Sequence, residues 1–150
     1  MSLLNVILNV LWLLTGGIWM ALGWLLAAAL MAITIIGLPW ARAAFNIAVY
    51  TFLPFGHVAL PRDELEGRED LGTSPLGMLG NIIWLVLAGW WLALLHLITA
   101  VGLAITIIGI PFAWAHLKLA GISLWPIGRT IVSAEEAAVL RGGARRPWQL

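Results

Sequence analysis

Six polar side chains interrupt stretches of sequence that are otherwise apolar, and they are the residues best placed to do chemistry. Lys118 lies midway through an apolar segment, where an isolated ammonium group costs roughly 2.5 to 3.5 kcal/mol on insertion scales. No acidic residue accompanies Lys118 within that segment. We therefore expect water, a lipid phosphate or a permeating anion to compensate its charge. The candidates for a polar pathway are Lys118, Arg42, Asn46, Tyr50, His116 and His96.

The spacing of these residues leaves two interpretations open. Arg42, Asn46 and Tyr50 recur at i, i+4 and i+8 and would form one polar stripe on a helix, with Arg42 reaching toward the lipid headgroups. Lys118 would either face headgroups from a helix in the membrane interface, or face water in a cavity or an oligomeric pore. The second alternative predicts a role in transport.

His96 and His116 are flanked by apolar residues and act either as helix-helix hydrogen bonders or as ligands. Their spacing matches no metal site, and the chain has no cysteine. We find no nucleophile beside a base and no nucleotide-binding loop. The sequence therefore predicts no metal, no cofactor and no enzymatic activity. A net charge of only +1 also argues against a nucleic-acid partner.

The composition predicts a membrane protein. Hydrophobic residues make up 62% of the chain and charged residues 10%, against about 45 to 50% and about 25% in soluble domains. Apart from Arg42 and Lys118, every charged residue lies in residues 57–75 or 129–150. The N-terminal apolar run has no preceding Lys or Arg and is longer than the apolar core of a signal peptide, so we expect it to be retained. The expected partner is the lipid bilayer.

The chain contains two copies of one unit. Residues 9–56 align without a gap onto residues 81–128 at a constant offset of 72, and 21 of the 48 paired positions are identical. The longest match pairs ITIIGLPWARA, which begins at Ile33, with ITIIGIPFAWA, which begins at Ile105. Asn46 in the first copy occupies the position of Lys118 in the second. A repeated apolar unit predicts pseudo-symmetry, and in such membrane proteins the functional site tends to lie where the repeats meet.

Each copy divides at a Gly-x-Pro step. A long apolar segment, residues 4–36 or 76–108, precedes the step, and a shorter one, residues 39–54 or 111–126, follows it. As helices the short segments would be about 24 Å long, which is marginal for a hydrocarbon core of about 30 Å. We expect each glycine to take a left-handed conformation that ends one helix and each proline to begin the next. These hinge residues are Gly37, Pro39, Gly109 and Pro111.

The predicted fold is an all-α membrane protein made of two tandem, pseudo-symmetric helix-Gly-x-Pro-helix hairpins with four membrane segments. Small residues lie on one stripe of each long segment, and such a stripe lets helices approach closely in lipid. Alternatively, the stripe has no packing role and reflects only the abundance of alanine in the chain. The stripe consists of Gly17, Ala21, Ala28, Ala32, Gly89, Ala93, Ala100 and Ala104. The tryptophans Trp12, Trp19, Trp84 and Trp91 fall on the opposite side, which we expect to face lipid or headgroups.

The polar linker and the tail differ in character. The linker carries two arginines against five acidic residues, and it lacks the pattern of an EF-hand loop, which favours a hydrophilic connector over an ion site. In the tail, Ser133 and Glu136 form a capping box at the start of a short helix over residues 134–141. The predicted divisions are a first membrane repeat (1–56), a polar cytoplasmic loop (57–75), a second membrane repeat (76–128) and a cytoplasmic tail (129–150).

The arginines of the tail set the expected orientation. If both segments of each copy cross the membrane, the N-terminus, linker and tail share one side, which the positive-inside rule makes the cytoplasm. If the second segment only lies in the interface, each copy crosses once and the repeats are inverted. We favour the four-crossing arrangement, in which cysteines introduced at Ser74 and Ala144 label from the same side.

Four stretches carry a family resemblance that runs through nearly the whole chain. They are NIIWLVLAGWWLALLHL from Asn81, IIGIPFAWAHLKLA from Ile107, LWPIGR ending at Arg129, and VSAE from Val132. Through them the chain resembles the YccF family of bacterial inner membrane components, small proteins built from tandem copies of a short membrane domain. The resemblance implies a multi-pass location in the bacterial inner membrane and provides no catalytic residues.

Two functions fit these observations. The first is a homo-oligomeric channel or transport element for ions or small solutes, with anions slightly favoured because a helix N-terminus follows each Gly-x-Pro step. A single chain has too few segments to enclose a water-filled path, so this hypothesis predicts a homo-oligomer. The second is a non-catalytic scaffold or accessory subunit that binds lipid or a protein partner. An intramembrane enzyme has the least support.

Overall fold

The computed structural model describes residues 2–143, and these form two hairpins of helices joined by a polar layer. The first hairpin comprises α1 (Leu3–Trp12), a wide turn (Leu13–Gly17), α2 (Ile18–Ile33) and α3 (Leu38–Phe52), and it is followed by β1 (His57–Pro61) and α4 (Arg62–Glu66). The second comprises α5 (Pro75–Trp84), a wide turn (Leu85–Gly89), α6 (Trp90–Ala104), a 3₁₀ turn (Ile107–Gly109) and α7 (Ile110–Leu124), and it is followed by β2 (Arg129–Ser133) and α8 (Ala134–Gly143).

The short helices form the centre of the molecule. Helix α3 packs along α2 and α7 packs along α6, so each short helix runs back beside the long helix that precedes it. The buried core joins the two copies through residues such as Ile47 and Tyr50 of α3 and Leu119 of α7. Pro39 and Pro111 lie in the first turns of α3 and α7, where a proline needs no amide hydrogen. The predicted helix-turn-helix order is therefore present in both copies.

The Gly-x-Pro turns lie where they were predicted, but the left-handed glycine conformation was wrong. Gly37 has a φ of −80° and Gly109 a φ of −78°. Glycine is required there for space, because a Cβ on Gly37 would lie 2.5 Å from both the Met31 carbonyl oxygen and the Thr34 hydroxyl. That hydroxyl donates to Met31 O over 3.0 Å and accepts from the Gly37 amide over 3.1 Å. Thr106 closes the second turn in the same way.

A wide turn in each long helix overturns the expected position of two tryptophans. Trp12 and Trp84 are 3% and 6% exposed, although helical spacing placed them on the lipid side. Residues 13–17 and 85–89 form π-helical turns, and a π turn contains more residues than an α turn. The extra residue rotates the preceding part of each helix, so that the Trp12 indole lies against Gly17. Trp19 and Trp91, which follow the turns, are 75% and 42% exposed.

Most of the small-residue stripe is buried against the short helices. The buried members are Gly17, Ala21, Ala28, Gly89, Ala93 and Ala100. Ala32 and Ala104, in the last turns of α2 and α6, are exposed. Over most of its length, the stripe therefore packs the long helix of each hairpin against the short helix.

A strand pair corrects the all-α prediction. Gly56 and Gly128 have φ values of +83° and +84°, which turn the chain out of each short helix and into β1 or β2. The two strands pair antiparallel, with Ala59 opposite Ile131 at the centre of the register. These two residues are also separated by the repeat offset of 72, so the strands are related by a pseudo-two-fold axis. Because both strands follow the short helices directly, both hairpins open toward the same end of the molecule.

The linker is more ordered than the solvated loop that its charge predicted. Arg62 is 6% exposed and forms a 2.7 Å ion pair with Asp70. Asp70 also accepts hydrogen bonds from the amides of Gly72 and Thr73 over 2.8 and 3.0 Å. Burial alone would raise the pKa of Asp70, but the hydrogen bond from Arg62 and these amides outweigh it, and the pKa lies below its ordinary value. This carboxylate therefore holds the turn that leads into α5.

The tail helix begins as predicted. Ser133 Oγ accepts a 3.0 Å hydrogen bond from the Glu136 amide at the start of α8. The helix continues to Gly143, two residues beyond the predicted end. Ala144, Arg145 and Arg146 lie outside the described residues.

Three helical stretches among the described residues are long and apolar enough to cross a membrane: Leu3–Ile33, Pro75–Ala104 and Ile107–Leu124. Helix α3 has 15 residues, or about 22 Å of helix, which is shorter than the hydrocarbon core. The chain is thus membrane-embedded, and a fourth crossing by α3 stays a prediction.

Candidate functional site

A lateral groove separates the two hairpins. The hairpins meet through α3, α7 and the strand pair, whereas α2 and α6 do not pack against each other. The groove between them has a volume of about 960 Å³, which is within the range of small-molecule sites. It is bordered by Trp12, Gly23 and Trp24 from the first copy and by Trp84, Leu95 and Phe112 from the second. It therefore lies where the repeats meet, as expected for a pseudo-symmetric membrane protein.

The groove is apolar, and its width follows from the residues along α2 and α6. Glycine or alanine occupies positions 16, 23, 27 and 88 of its walls, which leaves space that larger side chains would fill. Trp12 stacks on Phe112 with ring centroids 6.3 Å apart and closes the end of the groove nearest the strands. No Lys, Arg, Asp or Glu of the described residues borders it. Such a space is suited to an apolar occupant.

Two histidines meet in the groove wall. His96 of α6 and His116 of α7 are each 7% exposed, and their Nδ1 atoms lie 3.0 Å apart. One Nδ1 must donate its hydrogen to the other, which fixes opposite tautomers on the two rings when both are neutral. The His116 ring also contacts the edge of Trp12, with centroids 5.2 Å apart. The sequence identified both residues as candidates. The structure shows that they form a hydrogen bond that joins α6 to α7.

Lys118 lies elsewhere, on the far side of α7. Its ammonium donates to the carbonyl oxygens of Pro54 and His57, the second over 2.9 Å, and lies 5.2 Å from the centre of the Tyr50 ring. These groups supply the compensation that we expected from water, lipid phosphate or an anion. The hydroxyl of Tyr50 donates toward the same His57 carbonyl over 3.4 Å.

Asn46 makes the matching contact in the first copy. Its Nδ2 donates to the carbonyl of Arg129 over 2.7 Å. Because Asn46 and Lys118 are equivalent in the repeat, as are Arg129 and His57, each short helix donates to the first residue of the other copy's strand. The polar side chain at this position thus ties one copy to the other, through an uncharged amide in one direction and an ammonium in the other.

The six candidate residues fall in three separate places. Arg42 is exposed and lies with Asn46 along a second groove, of about 590 Å³, between α3 and α5. Lys118 and Tyr50 lie together near the strand pair, and the two histidines line the lateral groove. The predicted stripe of Arg42, Asn46 and Tyr50 is divided between different surroundings. A single polar pathway does not connect these six side chains within one chain.

Sequence reasoning missed two structural residues in each copy. Asn9 donates to Phe55 O over 2.9 Å and accepts from Phe55 N over 3.0 Å. Trp12 donates to Thr51 O over 2.7 Å. Asn81 and Trp84 repeat these contacts in the second copy, where they hold the end of α7. The signal was present, since both pairs are identical between the copies.

The sequence of this chain matches a known protein family. The family model described as an inner membrane component domain, YccF, matches residues 7–57 and 79–129. The chain belongs to the YccF family. It is 38% identical to the inner membrane protein YccF of Escherichia coli strain K12 over 148 residues. The aligned region covers 97% of this chain and 100% of the Escherichia coli protein. The YccF protein of Shigella flexneri matches to the same extent. No solved structure matches.

The two YccF matches define the sequence repeat and the structure extends it. They end at residues 57 and 129, which are the first residues of β1 and β2. The pseudo-symmetry continues through both strands into α4 and α8, where Glu64 and Glu136 are identical at the same offset of 72. Both named relatives are inner membrane proteins, in agreement with the three membrane-length helices of this chain.

Proposed function

We propose that this protein is a non-catalytic scaffold of the inner membrane that holds a lipid-class molecule in the lateral groove. The observation that carries this proposal is the groove itself, an apolar space of about 960 Å³ between two membrane-length helices. A space that wide is not left empty in a bilayer, because wall atoms without partners lose their dispersion contacts. Acyl chains surround the protein and can enter from the side.

The end of the molecule that carries the strands faces the cytoplasm in this proposal. The linker, Arg129 and helix α8 with Arg141 belong to that end, and the positive-inside rule assigns it to the cytoplasm. Because both hairpins open toward it, the repeats run parallel rather than inverted. The ordered turn around Arg62 and Asp70, with the strand pair and α8, then forms a cytoplasmic surface available to a protein partner.

Photo-crosslinking tests the groove. A phospholipid with a diazirine in its acyl chain is incorporated into nanodiscs with the protein, and labelled residues are mapped by mass spectrometry. We expect labelling along the groove walls, including Leu95. Gly23→Leu should reduce it, since the groove is open at Gly23 and leucine is the residue at the equivalent position of the second copy.

The matched control is Gly102→Leu. Gly102 does not border the groove, and a Cβ added to it would also lie in open space. The equivalent residue of the first copy is Leu30. This variant adds the same atoms to a membrane helix without filling the groove, so it should leave groove labelling unchanged. Equal labelling of wild type and Gly23→Leu would argue against an occupied groove.

The channel hypothesis is tested at Lys118. In a channel whose pathway includes this ammonium, Lys118→Asn removes the charge and should change ion flux through the protein in liposomes. In the scaffold that we propose, the amide keeps the contact that Asn46 makes in the first copy, and neither protein conducts. Flux in wild type that falls in Lys118→Asn would favour the channel, and with it the predicted homo-oligomer.

A further inference from the structure

We propose that the groove recognises a lipid-soluble alcohol, whose uncharged hydroxyl binds at the His96–His116 pair. This inference rests on the proposed function, because it names the chemical class of the molecule that occupies the groove. It goes further in assigning a polar recognition point to a space that is otherwise apolar.

The hydrogen bond between the rings leaves both Nε2 atoms available. When one Nδ1 donates to the other, the donating ring has an unprotonated Nε2 and the accepting ring has an Nε2–H. Neither Nε2 has a hydrogen-bond partner among the described residues. The pair therefore presents one acceptor and one donor beside the groove. A hydroxyl group can both donate and accept, and so it matches this combination.

The apolar walls around the pair select an uncharged group. His116 lies eight residues before Leu124, the end of α7, and its ring contacts Trp12, so the pair lies in the part of the groove nearest the strands. No charged side chain of the described residues borders the groove, so an anionic group bound there would remain uncompensated.

Hairpin packing alone does not require this pair. The first copy has Trp24 and Ala44 at the positions equivalent to His96 and His116, and its helices α2 and α3 pack closely without a hydrogen bond there. The second copy differs by placing two polar rings in the wall of the groove. A ligand with a polar group gives this difference a physical reason.

The test compares two photoactivatable probes of the same chain length, a long-chain alcohol and the corresponding hydrocarbon, each with a diazirine in mid-chain. The protein is reconstituted in nanodiscs, and the yield of labelled groove residues is measured for each probe. We expect wild type to favour the alcohol by about five-fold, the effect of one net hydrogen bond.

The variants His116→Ala and His96→Phe separate recognition from folding. His116→Ala introduces the residue of the first copy, and His96→Phe keeps an aromatic ring. Both should bring the ratio of alcohol to hydrocarbon labelling close to one, while hydrocarbon labelling stays at the wild-type level. His57→Ala, which changes a histidine outside the groove, should keep the preference.

The outcomes distinguish the inference from the proposed function. Groove labelling by both probes with no preference in wild type would overturn the inference and leave the lipid-binding groove intact. A preference that persists in both groove variants would also overturn it. If neither probe labels the groove, the proposed function fails together with the inference.

Discussion

Replacing Asn81 with leucine should measure how strongly a long helix holds the end of its short helix. Asn81 is 1% exposed, and its amide forms two hydrogen bonds of 3.0 and 2.9 Å with the backbone of Ile127. Leucine fills a similar volume but leaves the Ile127 carbonyl and amide without that partner. Each buried group left unsatisfied costs about 1 to 3 kcal/mol, so two cost about 2 to 6 kcal/mol.

The membrane environment sets a lower limit to this effect. Hydrogen bonds between helices in a membrane contribute about 0.6 kcal/mol on average, because the unfolded chain also finds partners there. Two such bonds give about 1 kcal/mol, and the backbone groups of Ile127 are buried in protein rather than shared between helices in lipid. We therefore expect Asn81→Leu to lower the free energy of unfolding by about 3 kcal/mol.

The assay is unfolding in mixed micelles with increasing sodium dodecyl sulfate, followed by tryptophan fluorescence. Asn9→Leu tests the equivalent residue of the first copy and should have a similar effect, since Asn9 makes the same pair of hydrogen bonds with Phe55. Asn5→Leu is the control, because Asn5 is not buried and should change stability by no more than about 0.5 kcal/mol. If Asn81→Leu and Asn9→Leu behave like this control, the two amides do not hold the hairpins.

The remaining predictions concern one turn and one ion pair. Gly109→Ala should lower the free energy of unfolding by about 1 to 3 kcal/mol through the collision of its Cβ with a backbone carbonyl, whereas Gly102→Ala, in open space, should be neutral or stabilising in the same unfolding assay. Because the pKa of Asp70 is lowered in the folded protein, its contribution to stability is present at neutral pH and lost as the pH falls through that pKa. Wild type should thus lose stability on acidification more than Asp70→Asn does, and parallel pH profiles of the two proteins would contradict this.

The sequence predicted the hairpins well because its strongest signals are local. The Gly-x-Pro steps mark both turns, and the threonine hydroxyls that close them lie within the same few residues. The repeat offset correctly predicted that the two copies would share one structure. Helical spacing failed for Trp12 and Trp84 because a π turn adds a residue that no composition signal marks.

The candidate site was only partly predictable. Polar residues in apolar segments are easily found, and they include both members of the His96–His116 pair. Their partners depend on which helices cross, so neither the pairing of the histidines nor the carbonyl contacts of Lys118 follow from spacing. The strands were missed because each has five residues and pairs with a strand of the other copy, 68 to 76 positions away in sequence.

The symmetric register of β1 and β2 has a consequence for how this chain can diverge. Two identical subunits that paired through the same strand would form an isologous contact, and any substitution would then appear on both sides of the axis at once. Joining both units in one polypeptide fixes them in equal number and removes that constraint. Each half can change alone, as Lys118 opposite Asn46 and His116 opposite Ala44 demonstrate. The covalent link thus lets a symmetric framework carry a one-sided site.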